Sequence, residues 1–253
     1  VDVLCFGMTK NGIAVGEAGV VARTRDGGES WSTLNSGLAG SVFYGVSVPK
    51  VGGLNTAFIC GDGGVFRCMD ITAPTLSWSL LTLPAGVYRQ VHFAAGPSMG
   101  VCVGDDPAAG GSAAQVYSTV NGDAALPGSV VWTAGTGLPA DTSFLCVVSE
   151  PVSYNFYVGG AGGNIWTSTP ATLPAWTVVA SPSAASVLSL QAPGAGITLF
   201  AVFGDDTVQR LLTAGPLWQI TGARTGTAAS VGFADANNGY LVTQGAGKGL
   251  FRT

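Results

Sequence analysis

Acidic residues at one recurring position are the most chemically suggestive feature of the sequence. Several short apolar stretches end in glycine, and a carboxylate follows in four of them. These carboxylates are Glu17, Asp62, Asp105 and Asp205, with Asp106 and Asp206 beside the last two. If the stretches are strands that end on one side of the molecule, the carboxylates form an acidic rim for a cation or a basic partner. Gly-Asp pairs are also common in hairpin turns, so a purely local turn role is the competing interpretation.

A second candidate is Gly-Pro-Ser-Met-Gly at residues 96–100, which fits the Gly-x-Ser-x-Gly pattern of serine hydrolases. In those enzymes the serine stands between a strand and a helix, whereas the flanking residues here predict a turn between two strands. His92 is the single histidine, and we expect it on the preceding strand, lining a channel with Tyr88 and Gln90. No His or Cys partner has the spacing of a metal site. We therefore predict neither a catalytic triad nor a metal site.

The cysteines lie in apolar, strand-like runs. They are Cys5, Cys60, Cys68, Cys102 and Cys146. No two of them form the Cys-x-x-Cys pair of zinc and redox sites, so small buried apolar side chains are the favoured interpretation. Cys60 and Cys68 flank one predicted hairpin, and a disulfide between them stays open as an alternative that would fit an oxidising compartment.

Two landmarks recur along the chain and define the elements that must position these residues. Trp31, Trp78, Trp132, Trp176 and Trp218 are separated by 47, 54, 44 and 42 residues, the period of a four-stranded propeller blade. A strand that ends in glycine precedes each of them. These glycines are Gly16, Gly61, Gly104, Gly159 and Gly204, with a looser sixth copy at Gly245. The sequence therefore predicts an all-β propeller of about six four-stranded blades.

We predict a single propeller domain over residues 1–253, with Pro or Gly near the blade junctions. The predicted blades are 1–38, 39–84, 85–139, 140–182, 183–223 and 224–253. The third is the longest, and its stretches 107–112 and 121–128 are interpreted as longer surface loops. The sixth stops before its expected tryptophan strand. We therefore predict an incomplete last blade whose missing strand comes from elsewhere in the polypeptide or from another molecule.

The predicted turn between the third and fourth strands of the first blade matches a defined motif. Residues 24–31 fit the Asp-box pattern Ser/Thr-x-Asp-x-Gly-x-Ser/Thr-Trp through Thr24, Asp26, Gly27, Gly28, Ser30 and Trp31. We expect the Asp26 carboxylate to accept backbone N–H groups, the glycines to supply permissive dihedrals and Trp31 to pack between neighbouring sheets. The later blades keep the tryptophan but lose the Asp and Gly pair. We therefore expect the motif to stabilise the turn and to have no catalytic role.

The succession of Val15-Gly16, Gly19-Val20, Thr24 and this motif resembles the Asp-box (BNR-like) propellers. These include sialidases, xyloglucanases, sortilin-type receptors and, closest in pattern, the photosystem II assembly factors and their bacterial relatives. The resemblance covers the repeat pattern along the whole chain but a full motif in one blade only. It implies a non-enzymatic protein that holds another protein during assembly. With seven arginines and no early Arg-Ile-Pro motif, the chain departs from the sialidases.

Composition narrows the classes of partner. Charged residues make up 9% of the chain, against about 25% in an ordinary soluble domain. Such a chain suits an extracytoplasmic protein, or a subunit whose faces are covered by neighbours. The net charge of -4 without a basic stripe argues against a nucleic-acid partner. No apolar run reaches the roughly 18 residues of a membrane span, so we predict that the chain does not cross a membrane.

Together these features predict a non-catalytic interaction or assembly propeller that needs no cofactor, holds a protein partner on a face of loops and lies outside the cytoplasm. One alternative is a carbohydrate-binding or glycoside-cleaving propeller, which requires exposed aromatic rings beside paired carboxylates. The aromatic candidates lie in the fourth blade, although alternation along its strands favours core packing for most of them: Tyr154, Phe156, Tyr157 and Trp166. Another alternative is a structural subunit of a surface filament or virion.

Overall fold

The computed structural model is built from β-strands joined by turns. It describes residues 3–6, 10–34, 36–49, 55–94, 96–106, 113–139, 142–179, 183–193, 198–212, 217–223, 227–233, 239–244 and 249–252. Consecutive strands pair antiparallel, and the helical segments described are short 3₁₀ turns such as Glu17–Gly19 and Pro127–Ser129. None of the helical segments among these residues is long and apolar enough to cross a membrane.

Residues 1–134 form the first of two compact units, and it contains three four-stranded sheets. Sheet 1 consists of β1 (Val3–Phe6), β2 (Gly12–Val15), β3 (Val21–Thr24) and β4 (Ser32–Leu34). Sheet 2 consists of β5 (Phe43–Ser47), β6 (Ala57–Gly61), β7 (Gly64–Cys68) and β8 (Trp78–Leu80). Sheet 3 consists of β9 (Val87–Phe93), β10 (Gly100–Asp106), β11 (Ala113–Thr119) and β12 (Thr133–Ala134). In each sheet the strands pair in chain order.

Residues 135–253 form the second unit. Sheet 4 consists of β13 (Phe144–Ser149), β14 (Phe156–Gly160), β15 (Ile165–Ser168) and β16 (Thr177–Val179). Sheet 5 consists of β17 (Val187–Gln191), β18 (Thr198–Phe203), β19 (Thr207–Leu212) and β20 (Leu217–Ala223). Sheet 6 has three strands in the described residues: β21 (Thr227–Phe233), β22 (Gly239–Gln244) and β23 (Gly249–Arg252).

This repetition confirms the all-β fold of four-stranded sheets, with a shorter last sheet, that the tryptophan period predicted. The single domain over 1–253 and the blade boundaries stay predictions.

Apolar side chains pack consecutive sheets face to face. In the first unit, one buried cluster joins sheets 1 and 2, and another joins sheets 2 and 3. Because side chains alternate between the two faces of a strand, β6 gives Ile59 to the first cluster and Phe58 to the second. The rings of Phe58 and Phe93 stack with centroids 3.5 Å apart. Similar clusters join sheets 4 and 5, and sheets 5 and 6, in the second unit.

The described cysteines are buried and free. The register of β6 and β7 pairs Cys60 with Val65, and Cys68 with Ala57, so the two thiols lie in different clusters on opposite faces of sheet 2. The alternative of a Cys60–Cys68 disulfide is therefore wrong. Burial raises the pKa of the thiols, which keeps them protonated. The side chain of Cys5 lies outside the described residues.

A β-bulge recurs in the first strand of five sheets. In each, one residue has no partner on the second strand; these residues are Tyr44, Arg89, Leu145, Leu188 and Ala229. Gly61 ends the second strand opposite the bulge of sheet 2, and a Cβ there would lie 1.9 Å from the carbonyl oxygen of Val42. No side chain tolerates such a contact. The bulge thus gives a physical reason for a glycine at the end of the second strand.

The same register corrects two of the glycine landmarks. The residue that pairs opposite the bulge is Gly160, not Gly159, in sheet 4, and Phe203, not Gly204, in sheet 5. At Gly204 a Cβ would lie 3.7 Å from the nearest backbone oxygen, an ordinary contact. The landmark therefore marks the bulge to within one residue, because glycine is also favoured in the turn that follows.

Candidate functional site

The side chains of Thr24 and Asp26 organise the turn between β3 and β4. The Thr24 hydroxyl donates to Asp26 Oδ1 at 2.6 Å and accepts the N–H of Gly28 at 2.9 Å. Asp26 accepts the N–H of Ser30 at 3.0 Å and the Ser30 hydroxyl at 2.5 Å. Hydrogen bonds from Ser30 and Thr24 hold the pKa of Asp26 well below its usual range. Gly27 and Gly28 have φ of +89° and +99°, which favour glycine.

The tryptophans stand at equivalent places but are not equally buried. Trp31, Trp78, Trp132, Trp176 and Trp218 all lie within one residue of the start of the fourth strand of their sheets. Trp176 is 3% exposed, whereas Trp31 is 38% exposed, so the packing predicted for Trp31 is only partial. Trp78 and Trp132 pack against the clusters of the first unit. The side chain of Trp218 lies outside the described residues.

The strand register reveals a second turn of the Asp26 type that the sequence did not show. Asn121 follows Thr119 as Asp26 follows Thr24, and Thr119 donates its hydroxyl to Asn121 Oδ1 at 3.0 Å. The same oxygen accepts the N–H of Val131 at 2.9 Å, just before Trp132, as Asp26 accepts the N–H of Ser30 before Trp31. A longer loop separates the two ends of this turn. That insertion hides the match, and the 121–128 stretch is thus anchored at both ends.

Sheet 2 carries a third variant of this turn. Asp70 follows Cys68 at the same offset, and its Oδ1 accepts the N–H of Thr72 at 2.8 Å and the Thr72 hydroxyl at 2.5 Å. The hydrogen bond from the Thr72 hydroxyl is the main reason that the pKa of Asp70 is lowered. Neither turn keeps the Asp and Gly pair of residues 24–31, so the motif pattern did not identify Asp70 and Asn121 as residues of the same kind of turn.

Two buried arginines tie a sheet to a turn of the next sheet. Arg67, on β7, is 1% exposed and donates to the carbonyl oxygen of Gly122 at 2.6 Å. Arg23, on β3, donates to the carbonyl oxygens of Ile71 at 3.1 Å and Ala73 at 2.5 Å. Burial lowers the pKa of both side chains. The signal in the sequence that could have identified them is an arginine within an apolar strand.

The predicted rim carboxylates have different surroundings. Asp62 directly follows β6 and Asp105 lies within β10, whereas Glu17 and Asp205 each come two residues after the end of the second strand of their sheets. Glu17, Asp62 and Asp205 are exposed, and Asp105 is buried.

The Asp205 carboxylate is occupied by hydrogen bonds from its own turn and from Ser183. It accepts the N–H and the hydroxyl of Thr207 at 3.1 and 2.6 Å, and the Ser183 hydroxyl at 2.8 Å. The Thr207 hydroxyl is the main cause of its lowered pKa. The competing interpretation of local turn chemistry therefore describes the contacts of Asp205.

Asp62 and Asp105 belong to a cluster with Tyr44 and Arg89, which we call the rim cluster. Arg89 Nε donates to Asp105 Oδ2 at 3.1 Å, and the Arg89 guanidinium carbon lies 4.9 Å from the centroid of the Tyr44 ring. Burial, reinforced by a hydrogen bond with Asp62, raises the pKa of Tyr44. Tyr44 and Arg89 are the bulge residues of sheets 2 and 3. The bulges thus bring these two side chains to the ends of the second strands, where the carboxylates stand.

One oxygen of the rim cluster has no donor among the described residues. Asp105 is 8% exposed, its Oδ2 holds Arg89, and its Oδ1 is buried and accepts no hydrogen bond from the described part of the chain. A buried acceptor left without a partner costs about 1 to 3 kcal/mol. Arg89, whose side chain is 37% exposed, carries the edge of the cluster that reaches solvent. The rim cluster therefore offers an acceptor to a donor that a ligand could bring.

The catalytic candidates do not assemble into a site. Residues 96–100 join β9 to β10, two strands, so the Gly-x-Ser-x-Gly match lacks its helix as predicted. The bulge at Arg89 places Tyr88 in the buried cluster with Val91 and Phe93, so the prediction that Tyr88 shares a face with His92 is wrong. Among the described residues, no three or more His, Cys, Asp or Glu side chains group to hold a metal ion.

The aromatic residues of sheet 4 are core residues. Phe156, Tyr157 and Trp166 are buried, and the Trp166 ring packs edge-on against Phe144 with centroids 5.2 Å apart. Buried rings present no face to a sugar, so these three do not form a carbohydrate platform. Only Tyr154, at a partly exposed turn, stays near the surface.

Comparison with known proteins bears on the fold. No protein-family model and no curated protein matches the chain. YCF48 bound to D1 peptide is 17% identical with a TM-score of 0.70, over 100% of this chain and 77% of that one. YCF48 from Cyanidioschyzon merolae is 20% identical with a TM-score of 0.68, over 99% and 84%. The Cps50 (Swd1) β-propeller domain of Myceliophteria thermophila is 10% identical with a TM-score of 0.70, over 100% and 88%. At these identities the likeness concerns the fold alone: the chain has the fold of a β-propeller.

Proposed function

We propose that this protein is a non-catalytic interaction propeller that holds a segment of a partner protein at the rim cluster. The observation that carries the proposal is the gathering of Tyr44, Arg89 and two carboxylates at one end of sheets 2 and 3. Tyrosine and arginine are the residue types that anchor protein interfaces. The YCF48 structure with the same fold is bound to a D1 peptide, which supports a peptide segment as the class of ligand.

The chemistry of the cluster supports binding over catalysis. A nucleophile needs a base within hydrogen-bond reach, and the four residues that define the rim cluster include neither a serine nor a cysteine. The described thiols lie in the core, where burial raises their pKa. The Arg89 guanidinium, a phenol and two carboxylates can instead donate to and accept from a peptide backbone and its side chains.

We further propose that the protein works outside the cytoplasm as part of a larger assembly. The scarcity of charged residues, 9% of the chain, supports a surface that neighbouring molecules cover. The location is tested by fractionating the cells that produce the protein and detecting it in each fraction with a specific antibody. Recovery of the protein in the cytoplasmic fraction would refute a location outside the cytoplasm. It would leave the peptide-binding proposal unaffected.

Selection from a phage-displayed library of random 12-residue peptides tests the binding role. We expect the wild-type protein to select peptides that bind Arg89→Glu about tenfold more weakly or worse, because losing an interface anchor costs more than 1 kcal/mol. Arg25→Glu is the matched control. It makes the same charge reversal at an exposed arginine in the turn between β3 and β4, which is not part of the rim cluster. Equal binding of the peptides to both variants, or selection of no peptide, contradicts the proposal. Glycan-array binding that survives Arg89→Glu would favour the carbohydrate alternative.

A further inference from the structure

We propose that the rim cluster takes a protonated amine, the ammonium group of a lysine side chain in the partner segment. This inference rests on the proposed function, and it adds the chemical group that is recognised. Three observations carry it: the buried oxygen of Asp105 that lacks a donor, the charge balance of the cluster and the way in which Arg89 already occupies the same carboxylate.

The first observation concerns hydrogen bonding. Asp105 Oδ1 is buried and accepts nothing from the described residues, while Oδ2 of the same carboxylate accepts from Arg89 Nε at 3.1 Å. Because the two oxygens belong to one carboxylate, Oδ1 lies within the rim cluster. A ligand that brings an N–H donor to this oxygen removes the cost of the unpaired acceptor, and a charged donor forms a stronger bond than a neutral one.

The second observation concerns charge. Asp62 and Asp105 supply two carboxylates, and Arg89 is the cation that pairs with Asp105 and lies over the Tyr44 ring, while Asp62 contacts Tyr44. The raised pKa of Tyr44 keeps its phenol neutral. The rim cluster therefore has one negative charge in excess. A cationic ligand is attracted, and an anionic one is repelled, most strongly at the buried carboxylate, where water screens least.

The third observation selects an ammonium over a guanidinium. A guanidinium binds a carboxylate best as a fork that uses both oxygens, and Arg89 already holds Oδ2 of Asp105. The oxygen that is left can still accept a donor, but the fork across both oxygens is no longer open to a second guanidinium. An ammonium is a compact charge with three donors, so one N–H can reach Oδ1 while the others stay in water or meet the peptide.

Titration of the ¹⁵N-labelled wild-type protein with three capped amino acids tests this inference. The probes are the Nα-acetyl methylamides of lysine, norleucine and arginine, followed at the Arg89 Nε–H resonance. We expect the lysine probe to shift this signal, the norleucine probe, which has no charge, to leave it in place, and the arginine probe to bind about threefold more weakly or worse. Equal effects of lysine and norleucine, or tighter binding of arginine, overturn the inference.

Variants locate the site. Asp105→Asn should weaken binding of the lysine probe about tenfold or more, because a charge-assisted hydrogen bond is lost. Asp62→Asn should weaken it less, because Asp62 is exposed. Glu29→Gln removes an exposed carboxylate from the turn after β3 and should leave binding unchanged. Unchanged binding in Asp105→Asn overturns the inference. If that variant does not fold, the comparison of the three probes on the wild-type protein decides alone.

The peptide selection separates this inference from the proposed function. Peptides that depend on Arg89 and are enriched in lysine support both. Peptides that depend on Arg89 without lysine enrichment support an interaction propeller and refute the amine site. Selection of no peptide refutes the proposed function, whatever the lysine probe does.

Discussion

Buried arginines that donate hydrogen bonds to the turn of a neighbouring sheet link the sheets of the first unit. Arg67 is the largest of its fully buried side chains, and it reaches from β7 to the carbonyl oxygen of Gly122 in the next sheet. The apolar stem packs in the core while the guanidinium satisfies a backbone acceptor. Packing and hydrogen bonding at this position can therefore be separated by substitution.

Arg67→Ala should lower the free energy of unfolding by about 3 kcal/mol, because it leaves a cavity and an unpaired carbonyl. Arg67→Met should lower it by about 1 kcal/mol, because methionine fills the volume and removes the cost of burying a charge. Urea unfolding measures both. Arg25→Ala is the exposed control and should stay within about 0.5 kcal/mol of wild type. Equal losses for the alanine and methionine variants would contradict a packing role.

Asp26→Asn should destabilise the protein at neutral pH, because it removes the charge that accepts hydrogen bonds from Ser30 and Thr24. The pKa of Asp26 is lowered in the folded state, so ionised Asp26 stabilises the fold above about pH 4, the usual pKa of aspartate. This stabilisation is lost as the pH falls from there through the lower pKa of the folded state. Urea midpoints of wild type and variant should therefore converge on acidification. A gap that stays constant from pH 7 to pH 2 would refute this. Glu29→Gln serves as the charge control in the same turn.

How far the sequence predicts these residues depends on how local their contacts are. The turn from Thr24 to Ser30 follows from the eight consecutive positions 24–31, because the hydrogen bonds join residues close in sequence. The Asn121 turn has the same bonds across an insertion, and pattern matching fails there. The contact of Arg89 with Tyr44 joins two sheets, and no spacing rule along the chain predicts it.

At the level of elements, the bulge is the feature that links the repeat to the site. Strand positions agree with the alternation of apolar residues to within a few residues, since burial imposes that alternation on the sequence. A bulge adds one residue without changing composition, so the sequence shows it only indirectly, through a glycine near the position opposite it. The sequence therefore predicts the two carboxylates of the rim cluster, which follow glycines. It does not predict Tyr44 and Arg89, because the bulges determine where these side chains lie.

Gly61→Ala should destabilise the protein by about 2 kcal/mol or more, because the new Cβ would lie 1.9 Å from the backbone oxygen of Val42. Gly204→Ala is the matched control at the nearby position in sheet 5, where the contact would be 3.7 Å, and it should change stability by less than about 0.5 kcal/mol. Thermal and urea unfolding of the two variants test the difference. Similar effects at both positions would mean that the close approach at the bulge is not what selects glycine.

At the level of the whole chain, low charge and exposed apolar side chains act together. The net charge is -4 and the isoelectric point lies near 4.7, so acidification removes the little repulsion between molecules. Val120, Leu126 and Val131 are exposed on the loop that Asn121 anchors. These side chains supply an apolar surface on which molecules can associate once repulsion is gone.

Solubility should fall between pH 7 and pH 5, as measured by light scattering at fixed protein concentration. Leu126→Glu should raise solubility at pH 7 because it replaces an exposed apolar side chain with a charge, and Leu126→Gln should have a smaller effect. A solubility profile that is flat over this range, or equal effects of the two substitutions, would contradict a role for net charge.

The recurring bulge also has a consequence for how such a protein changes over time. Strand pairing in five sheets leaves one residue out of the ladder, and Tyr44, Arg89, Leu145, Leu188 and Ala229 occupy that place. A bulge residue has no partner on the second strand, so substitution there is limited by side-chain packing and not by that pairing: Leu188 packs against a buried cluster, whereas the Arg89 side chain is 37% exposed. Substitutions at Tyr44 and Arg89 can then change the chemistry of the rim cluster, in evolution or in the laboratory, without lengthening a loop.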